Sequence, residues 1–347
     1  MSKILTTKQR TEAFAQLGDF LQAPDEQLRD LINSAQQYNP WFTPQSTANA
    51  INAIAIMLNK DDLRQWMDKS RVAEGENNGE PRAILSVGLV LAGNIPLVGF
   101  HDILCVLASG HKALIKLSTQ DQKLIPYILG KLLEIESAFN EQIQYIERLK
   151  NFDAVIATGS NNTSRYFEYY FSHVPHIIRK NRNSVSVLIG NETLGELKAL
   201  GHDIFDYFGL GCRNVSKIYV PRGYDFKTFF ESIEHFKTIS NHHKYNNNYD
   251  YNKSIFLVNL DKHLDNGFLL LKEDERMASP LAVLYYEEYD EMTYLEQQLI
   301  EKTEQIQCIV SNNTFNGKAI NFGQSQQPRL WDYADGVDTT VFLKSLI

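Results

Sequence analysis

The stretch AILSVGLVLAGNIPLVGFHDILCVLASGHKALIKLS, residues 83–118, carries the clearest fold signal in the chain. Its first part is almost wholly apolar and ends in Gly93 and Asn94, as expected of a strand buried on both faces of a parallel sheet. Pro96 suits the first position of a following helix, whose apolar face would use Leu97, Phe100, Leu104 and Leu107. Gly110 suits the stop of that helix, and HKALIKLS reads as a second strand. The unit is therefore strand, helix, strand.

Moving toward the C-terminus, the alternation continues. LIPYILGKLLEIESAF reads as a helix, DAVIATGS as a strand, the residues from about Ser164 as a helix, and NSVSVLIG as a strand. These repeats predict a doubly wound parallel sheet. LGELKALGHDIFDYF then reads as a helix, SKIYVP as a strand, and the segment from about Phe226 to Thr238 as a helix. SIFLVNL, LAVLYYEE and QCIVSN read as further strands, with a helix near Tyr294 to Thr303, which predicts a second α/β lobe. NHHKYNNNYDYN, residues 241–252, reads as an exposed loop. Toward the N-terminus, EAFAQLGDFL, EQLRDLINSAQQY and NAINAIAIML show apolar residues at helical spacing, and Arg71 to Arg82 reads as a polar connector. The expected organisation is a helical segment over 1–75, a cofactor-binding domain over 76–180 completed by 321–347, and a catalytic domain over 181–320.

The 347 residues are 43% hydrophobic, 22% charged and 11% aromatic, the composition of a folded enzyme rather than a disordered chain. A net charge of −8 argues against nucleic acid as the main partner. The opening MSKILTTKQRTEAFAQL lacks the apolar core of a secretory signal, and the longest apolar run is too short to span a bilayer, so a cytoplasmic protein without a membrane span is expected. Three cysteines with no paired spacing suggest neither a disulfide framework nor a zinc site. His101 and His111 lie about ten helical residues apart, roughly 15 Å, too far to share a metal, and no metal is expected.

Cys212 stands in FGLGCRNVS between a helix and a strand. Gly209 and Gly211 permit a tight backbone path, and Arg213 can favour the thiolate that nucleophilic attack needs. Cys105 and Cys308 lie inside apolar segments and read as structural. Asn94 follows a buried strand, where ligand-facing groups gather in open α/β sheets. Its amide could donate to an oxyanion, or simply form an Asx turn or helix cap. Lys116 ends the next strand. Thr158, Gly159 and Ser160 lead from a third strand into a helix N-terminus, a setting that suits an anion, although TGS is also a common turn.

AGNIPLVGFHDILCVLASGHKALIKLS, IATGSNNTSRYF, NSVSVLIG and FGLGCRNVSKIYVP, in that order, resemble the aldehyde dehydrogenase superfamily. With FGQSQQPRLWDYADGVDTTVFL at the end, the chain is similar more narrowly to the long-chain acyl-CoA reductases, the LuxC-type fatty-acid reductases, over about Ala83 to Leu343. The resemblance implies an aldehyde-dehydrogenase-like α/β fold: a doubly wound cofactor lobe, a second α/β catalytic lobe and a helical N-terminal segment. It implies Cys212 as nucleophile, and Asn94 with the Cys212 backbone N–H as the oxyanion hole. It places Lys116 on the adenosine ribose, Gly159 and Ser160 at the cofactor pyrophosphate, and Glu275 on the nicotinamide ribose. Hydrolysing relatives carry a glutamate in the segment equivalent to IRKNRNSV, where Ile178 or Arg179 stands here. Without that base, hydrolysis of an acyl-enzyme should be slow. Three residues after Lys116, NAD-specific relatives commonly carry a glutamate, and Thr119 stands there, which implies NADPH.

The expected reaction is reduction of a fatty acyl thioester to the aldehyde through a thioester on Cys212. Acyl-CoA or an acylated partner protein is the donor, and there is room for a homo-oligomer. Two other readings stay open: an oxidising aldehyde dehydrogenase, and an acyl-carrier subunit acylated on Cys212 without reductase activity.

Overall fold

A computed structural model describes residues 5–70, 83–313, 315 and 319–346. The Arg71 to Arg82 connector lies outside the described residues. The chain forms two compact units, one of Met1–Asn181 with Gln327–Ile347 and one of Arg182–Gln326.

The first unit opens with helices α1 (Thr7–Gln22), α2 (Glu26–Ser34), α3 (Pro44–Met57) and α4 (Lys60–Ser70). Their starts follow local chemistry. Thr6 and Gln9 form a reciprocal capping box, Asp25 caps α2, and Thr43 caps α3 ahead of a proline in its first turn. Then come β1 (Ser86–Val90), α5 (Phe100–Ala108), β2 (Lys112–Lys116), α6 (Leu124–Ile135), β3 (Ile143–Tyr145), β4 (Ala154–Thr158), α7 (Asn161–Phe171) and β5 (His176–Arg179). The strands form one sheet in the order β3-β2-β1-β4-β5, and every pairing in it is parallel. β1 sits at its centre, and Val87, Leu89, Ala113, Ile115, Ala154 and Val155 are fully buried there, as a strand covered on both faces requires.

Pro96 does not open α5. The chain makes a turn over residues 96–99 and the helix begins at Phe100. Leu97 adopts φ +61°, a left-handed conformation incompatible with a helix, and its N–H donates to the Asp121 carboxylate at 2.9 Å. The expected stop holds: Gly110 follows the helix at φ +79°.

The second unit contains β6 (Asn183–Val187), α8 (Leu194–Phe205), β7 (Val215–Pro221), α9 (Phe226–Ile233), α10 (His243–Val258), β8 (Leu264–Asp265), β9 (Leu270–Glu273), β10 (Val283–Tyr289), α11 (Met292–Glu301), β11 (Ile306–Val310) and β12 (Ala319–Ile320). Its sheet runs β12-β11-β6-β7-β10-β9-β8, antiparallel only between β8 and β9. Two expectations fail here. The Asn- and Tyr-rich residues 241–252 are not a loop, since from His243 they are helical, and SIFLVNL is not a strand but the end of the same helix. Asn252 explains part of this, because its amide donates both to Asn248 one turn back and to the Leu281 carbonyl, giving a polar residue a buried helical place. Of the apolar run, Phe256 is buried while Leu257 and Val258 are exposed, so it lacks the two-sided burial of a central strand. The sheet takes its strand instead from β9, whose Leu270 and Leu271 are fully buried.

The chain ends in α12 (Thr339–Lys344), which belongs to the first unit. Trp66 Nε1 donates to the Tyr333 hydroxyl at 2.8 Å, and His101 Nε2 lies 2.9 Å from the Leu330 carbonyl oxygen. The α/β architecture with two sheets and helical N-terminal elements is the one expected. No helix among the described residues is long and apolar enough to cross a membrane.

Candidate functional site

In the first unit the neighbouring strands β2, β1 and β4 all deliver candidate residues at their carboxyl ends. Asn94 lies four residues past β1, Lys116 closes β2, and Thr158 closes β4. The loop bearing Asn94 is pinned from two sides, by Asn39 Nδ2 to the Gly93 carbonyl at 3.4 Å and by Asp121 on Leu97 N–H. Burial raises the pKa of the Asp121 carboxyl. Gly93 is required, because a Cβ there would sit 2.4 Å from Ser118 Oγ at the end of the adjacent strand. Asn94 itself is half-buried and is no helix cap, since Gly99 precedes α5.

Lys116 and Thr119 are both exposed. Thr119 does not cap α6, which begins at Leu124 after Lys123. Ser160 caps α7 by accepting the Thr163 N–H at 3.3 Å, and the Gly159 N–H donates to the Arg179 carbonyl at 3.4 Å. The backbone N–H groups of the first turn of α7, just after the Thr158–Ser160 turn, are thus better suited to meet an anion than the glycine amide or the serine hydroxyl. Arg179 is buried and grips both Asp102 oxygens, at 2.6 and 3.1 Å, while donating to the Ala334 carbonyl and the Thr339 hydroxyl. A guanidinium so engaged cannot act as a base toward water.

In the second unit, Cys212 lies in a turn between α8 and β7, and it alone of the three cysteines is partly exposed. After α8, Tyr207, Phe208 and Gly209 take φ values of +55°, +61° and +79° in succession. Each non-glycine residue there costs roughly 1–2 kcal/mol, so the turn must be held by other bonds. Asn214 supplies them: its Nδ2 donates to the carbonyls of Asp203, Ile204 and Asp206, at 3.2, 3.4 and 2.7 Å. These belong to the end of α8, where helical carbonyls lack partners of their own. Asn214 Oδ1 accepts the Gly211 N–H at 2.9 Å.

On the far side of Cys212, the Ser184 hydroxyl donates to the Cys212 carbonyl at 2.9 Å, and Cys308 Sγ lies 2.9 Å from the same Ser184 oxygen. A hydroxyl has one proton, so with Ser184 donating to Cys212 the Cys308 thiol must be the donor to Ser184. Burial pushes the Cys308 thiol up to about 11, and burial raises Cys105 well above the ordinary range, so both stay protonated near neutrality.

Glu275 follows β9 with its side chain exposed. The segment around it turns back toward the start of β7, where Lys217 Nζ donates to the Glu275 carbonyl at 2.9 Å and Ser216 Oγ to the Met277 carbonyl at 2.7 Å. Lys217 is fully buried and also pairs with Glu287 at 2.6 Å; burial lowers its pKa. The first unit thus gathers Asn94, Lys116, Thr119, Thr158, Gly159 and Ser160 at one set of strand ends, and the second unit carries Cys212 and Glu275. Asn214 and Ser184 escaped the reading of the sequence. For Ser184 the available signal is its place in the apolar strand NSVSV, where a buried hydroxyl calls for a partner.

The sequence matches no protein-family model and no curated protein. The fold is that of aldehyde dehydrogenases. An aldehyde dehydrogenase of Mycobacterium tuberculosis complexed with NAD+ superposes with a TM-score of 0.62 at 14% identity, over 90% of this chain and 75% of that one. The aldehyde dehydrogenase KauB of Pseudomonas aeruginosa gives 0.63 at 12%, over 91% and 73%. An NAD+ complex of an aldehyde dehydrogenase from Bacillus cereus gives 0.59 at 14%, over 90% and 73%. At these identities the likeness is one of architecture.

Proposed function

We propose that this chain is a cytoplasmic, NADPH-dependent reductase of fatty acyl thioesters, forming aldehyde through a thioester on Cys212, like the LuxC-type acyl-CoA reductases its motifs resemble. The observation that carries the reading is the contrast among the thiols: Cys212 is partly exposed on a braced turn, whereas Cys105 and Cys308 are buried and raised in pKa. Thiolate availability and access decide which cysteine attacks.

In this reading the Cys212 thiolate adds to the thioester carbonyl, the oxyanion is met by the Cys212 backbone N–H and the Asn94 amide, and its collapse expels the coenzyme A thiolate. Whether Ile178 or Arg179 stands at the place of a hydrolytic base, neither an alkyl side chain nor a guanidinium held by Asp102 can activate water, which supports reduction over hydrolysis. The residues present fit a dinucleotide: Lys116 for the ribose, the α7 first turn after Thr158, Gly159 and Ser160 for the pyrophosphate, Glu275 for the nicotinamide ribose, and neutral Thr119 beside a 2′-phosphate. When bound, NADPH would supply hydride to the acyl carbon. The first unit would then serve as the cofactor-binding domain and the second as the catalytic one.

Oxidation of aldehydes is the second reading, favoured by the NAD+ bound in similarly folded dehydrogenases. One assay separates the two. NADPH consumption against a chain-length series of acyl-CoA, with the aldehyde trapped and identified, is expected to be positive, and aldehyde with NAD+ in the absence of coenzyme A should turn over slowly. The reverse pattern makes the protein an oxidising dehydrogenase. Acylation of Cys212 without NADPH consumption makes it an acyl carrier.

A further inference from the structure

We infer that Asn214 is a positioning residue for acyl transfer, setting the direction of the Cys212 backbone N–H; the inference rests on the proposed thioester chemistry at Cys212. The peptide groups before and after Cys212 are each tied down at the carbonyl. The Gly211 carbonyl accepts the Asn214 N–H at 3.0 Å, and the Cys212 carbonyl accepts the Ser184 hydroxyl at 2.9 Å. No peptide bond among the described residues is cis, so in a planar trans peptide the Cys212 N–H points opposite to the Gly211 carbonyl. Fixing that carbonyl therefore fixes the N–H that would meet an oxyanion.

Asn214 works at three points of this short turn. Its own N–H holds the Gly211 carbonyl, its Oδ1 holds the Gly211 N–H at 2.9 Å, and its Nδ2 ties the turn to the carbonyl end of α8. The side chain is almost wholly buried and both of its polar atoms are engaged. Tyr207, Phe208 and Gly209 are all left-handed, a costly path that persists only where surrounding bonds hold it. The Asn214 amide supplies such bonds at both ends of the turn, and so sets where its own N–H meets the Gly211 carbonyl. A donor aimed in advance stabilises an oxyanion without reorganisation during the reaction, while the thiol itself is reached whichever way the peptide plane lies.

That difference supplies the test. Two rates are measured on the full chain as wild type and Asn214→Ala: acylation of Cys212 by whichever of octanoyl-, dodecanoyl- or hexadecanoyl-CoA acylates the wild type fastest, and alkylation of Cys212 by iodoacetamide. Acylation should fall by about tenfold to a hundredfold, toward the scale for one lost oxyanion donor. Alkylation, which needs a thiolate but no oxyanion donor, should change less than about threefold. Unchanged acylation overturns the inference, and so does a parallel fall in both rates, which marks a purely structural residue. Should Asn214→Ala fail to fold, Asn214→Ser, which keeps a neutral oxygen toward the Gly211 N–H but removes the Nδ2 donors to the end of α8, is held to the same two rates. A wild type that alkylates at Cys212 but is never acylated removes the proposed chemistry and this inference with it, whereas an acylated wild type with an equally acylated variant removes the inference alone.

Discussion

Asp102 of α5 and Arg179 of β5 meet in a buried two-pronged ion pair, and the same guanidinium reaches Ala334 and Thr339 near the C-terminus. Three stretches far apart in sequence are joined at one cation. Arg179→Met should destabilise the first unit by about 3–5 kcal/mol, the cost of leaving a buried charge without its partner. The double substitution Asp102→Leu with Arg179→Met removes both charges and should recover at least half of that loss. Chemical denaturation of the wild type and the two variants decides it, and a single variant within about 1 kcal/mol of wild type would make the pair dispensable.

The cysteines should separate by reactivity. With its thiol pushed up to about 11, Cys308 is roughly one part in a thousand thiolate at pH 8, and burial holds Cys105 back as well. Iodoacetamide at pH 8 should therefore modify Cys212 first, with the other two reacting only on unfolding. Peptide mapping by mass spectrometry reads the order, and early labelling of Cys308 would contradict the account of the Ser184 bonds. Cys212→Ala should abolish acylation altogether.

The sequence was most legible where burial is two-sided. Residues 83–118 announce β1 and β2 because a central parallel strand has no polar face, and Gly110 announces the end of α5 through its backbone freedom. It was least legible in α10, where the polar Tyr245 and Asn252 are buried by partners outside the helix, Phe268 and Leu281, that no local pattern reveals. The start of α5 is not visible locally because Leu97 is left-handed and bonded to Asp121, 24 residues away. For the candidate site, glycines and strand ends point to Cys212, Lys116 and Thr158. The bracing by Ser184 depends on a contact across 28 residues, and only the fold discloses it.

His202 and His235 pack against the same ring, Phe236, and should titrate on opposite sides of 6.5. The hydrogen bond to Asp206 at 3.2 Å raises His202, whereas burial, with Lys198 nearby, lowers His235. The raised His202 contributes stability that is complete below pH 6.5 and lost as pH rises through its folded pKa. For His235 the unfolded chain binds the proton more readily, so stability rises with pH from its folded pKa up to 6.5. Together the pair favours a stability maximum near pH 6.5. Imidazole titration by NMR reads both values. His202→Gln should remove the decline above pH 6.5 and His235→Gln the rise below it, and coincident titration of the two rings would refute the assignment.

Cofactor choice should turn on Thr119. It is exposed on the turn after β2, three residues beyond the exposed Lys116, and its hydroxyl is not consumed in capping α6. A neutral hydroxyl there leaves a 2′-phosphate unrepelled and can donate to it, with the Lys116 charge close along the chain. NADPH should therefore be preferred over NADH. Thr119→Glu places a carboxylate where that phosphate would lie, and like-charge repulsion with a lost hydrogen bond needs to amount to only ~1.4 kcal/mol to move the ratio of kcat/KM toward NADH by tenfold. Because the residue is exposed, the substitution should leave stability nearly unchanged, so a shift in the ratio reports recognition rather than unfolding. Steady-state kinetics with both cofactors on both proteins settles the matter. Equal use of the two by the wild type, or an unmoved ratio in the variant, would put the 2′-phosphate somewhere other than the end of β2.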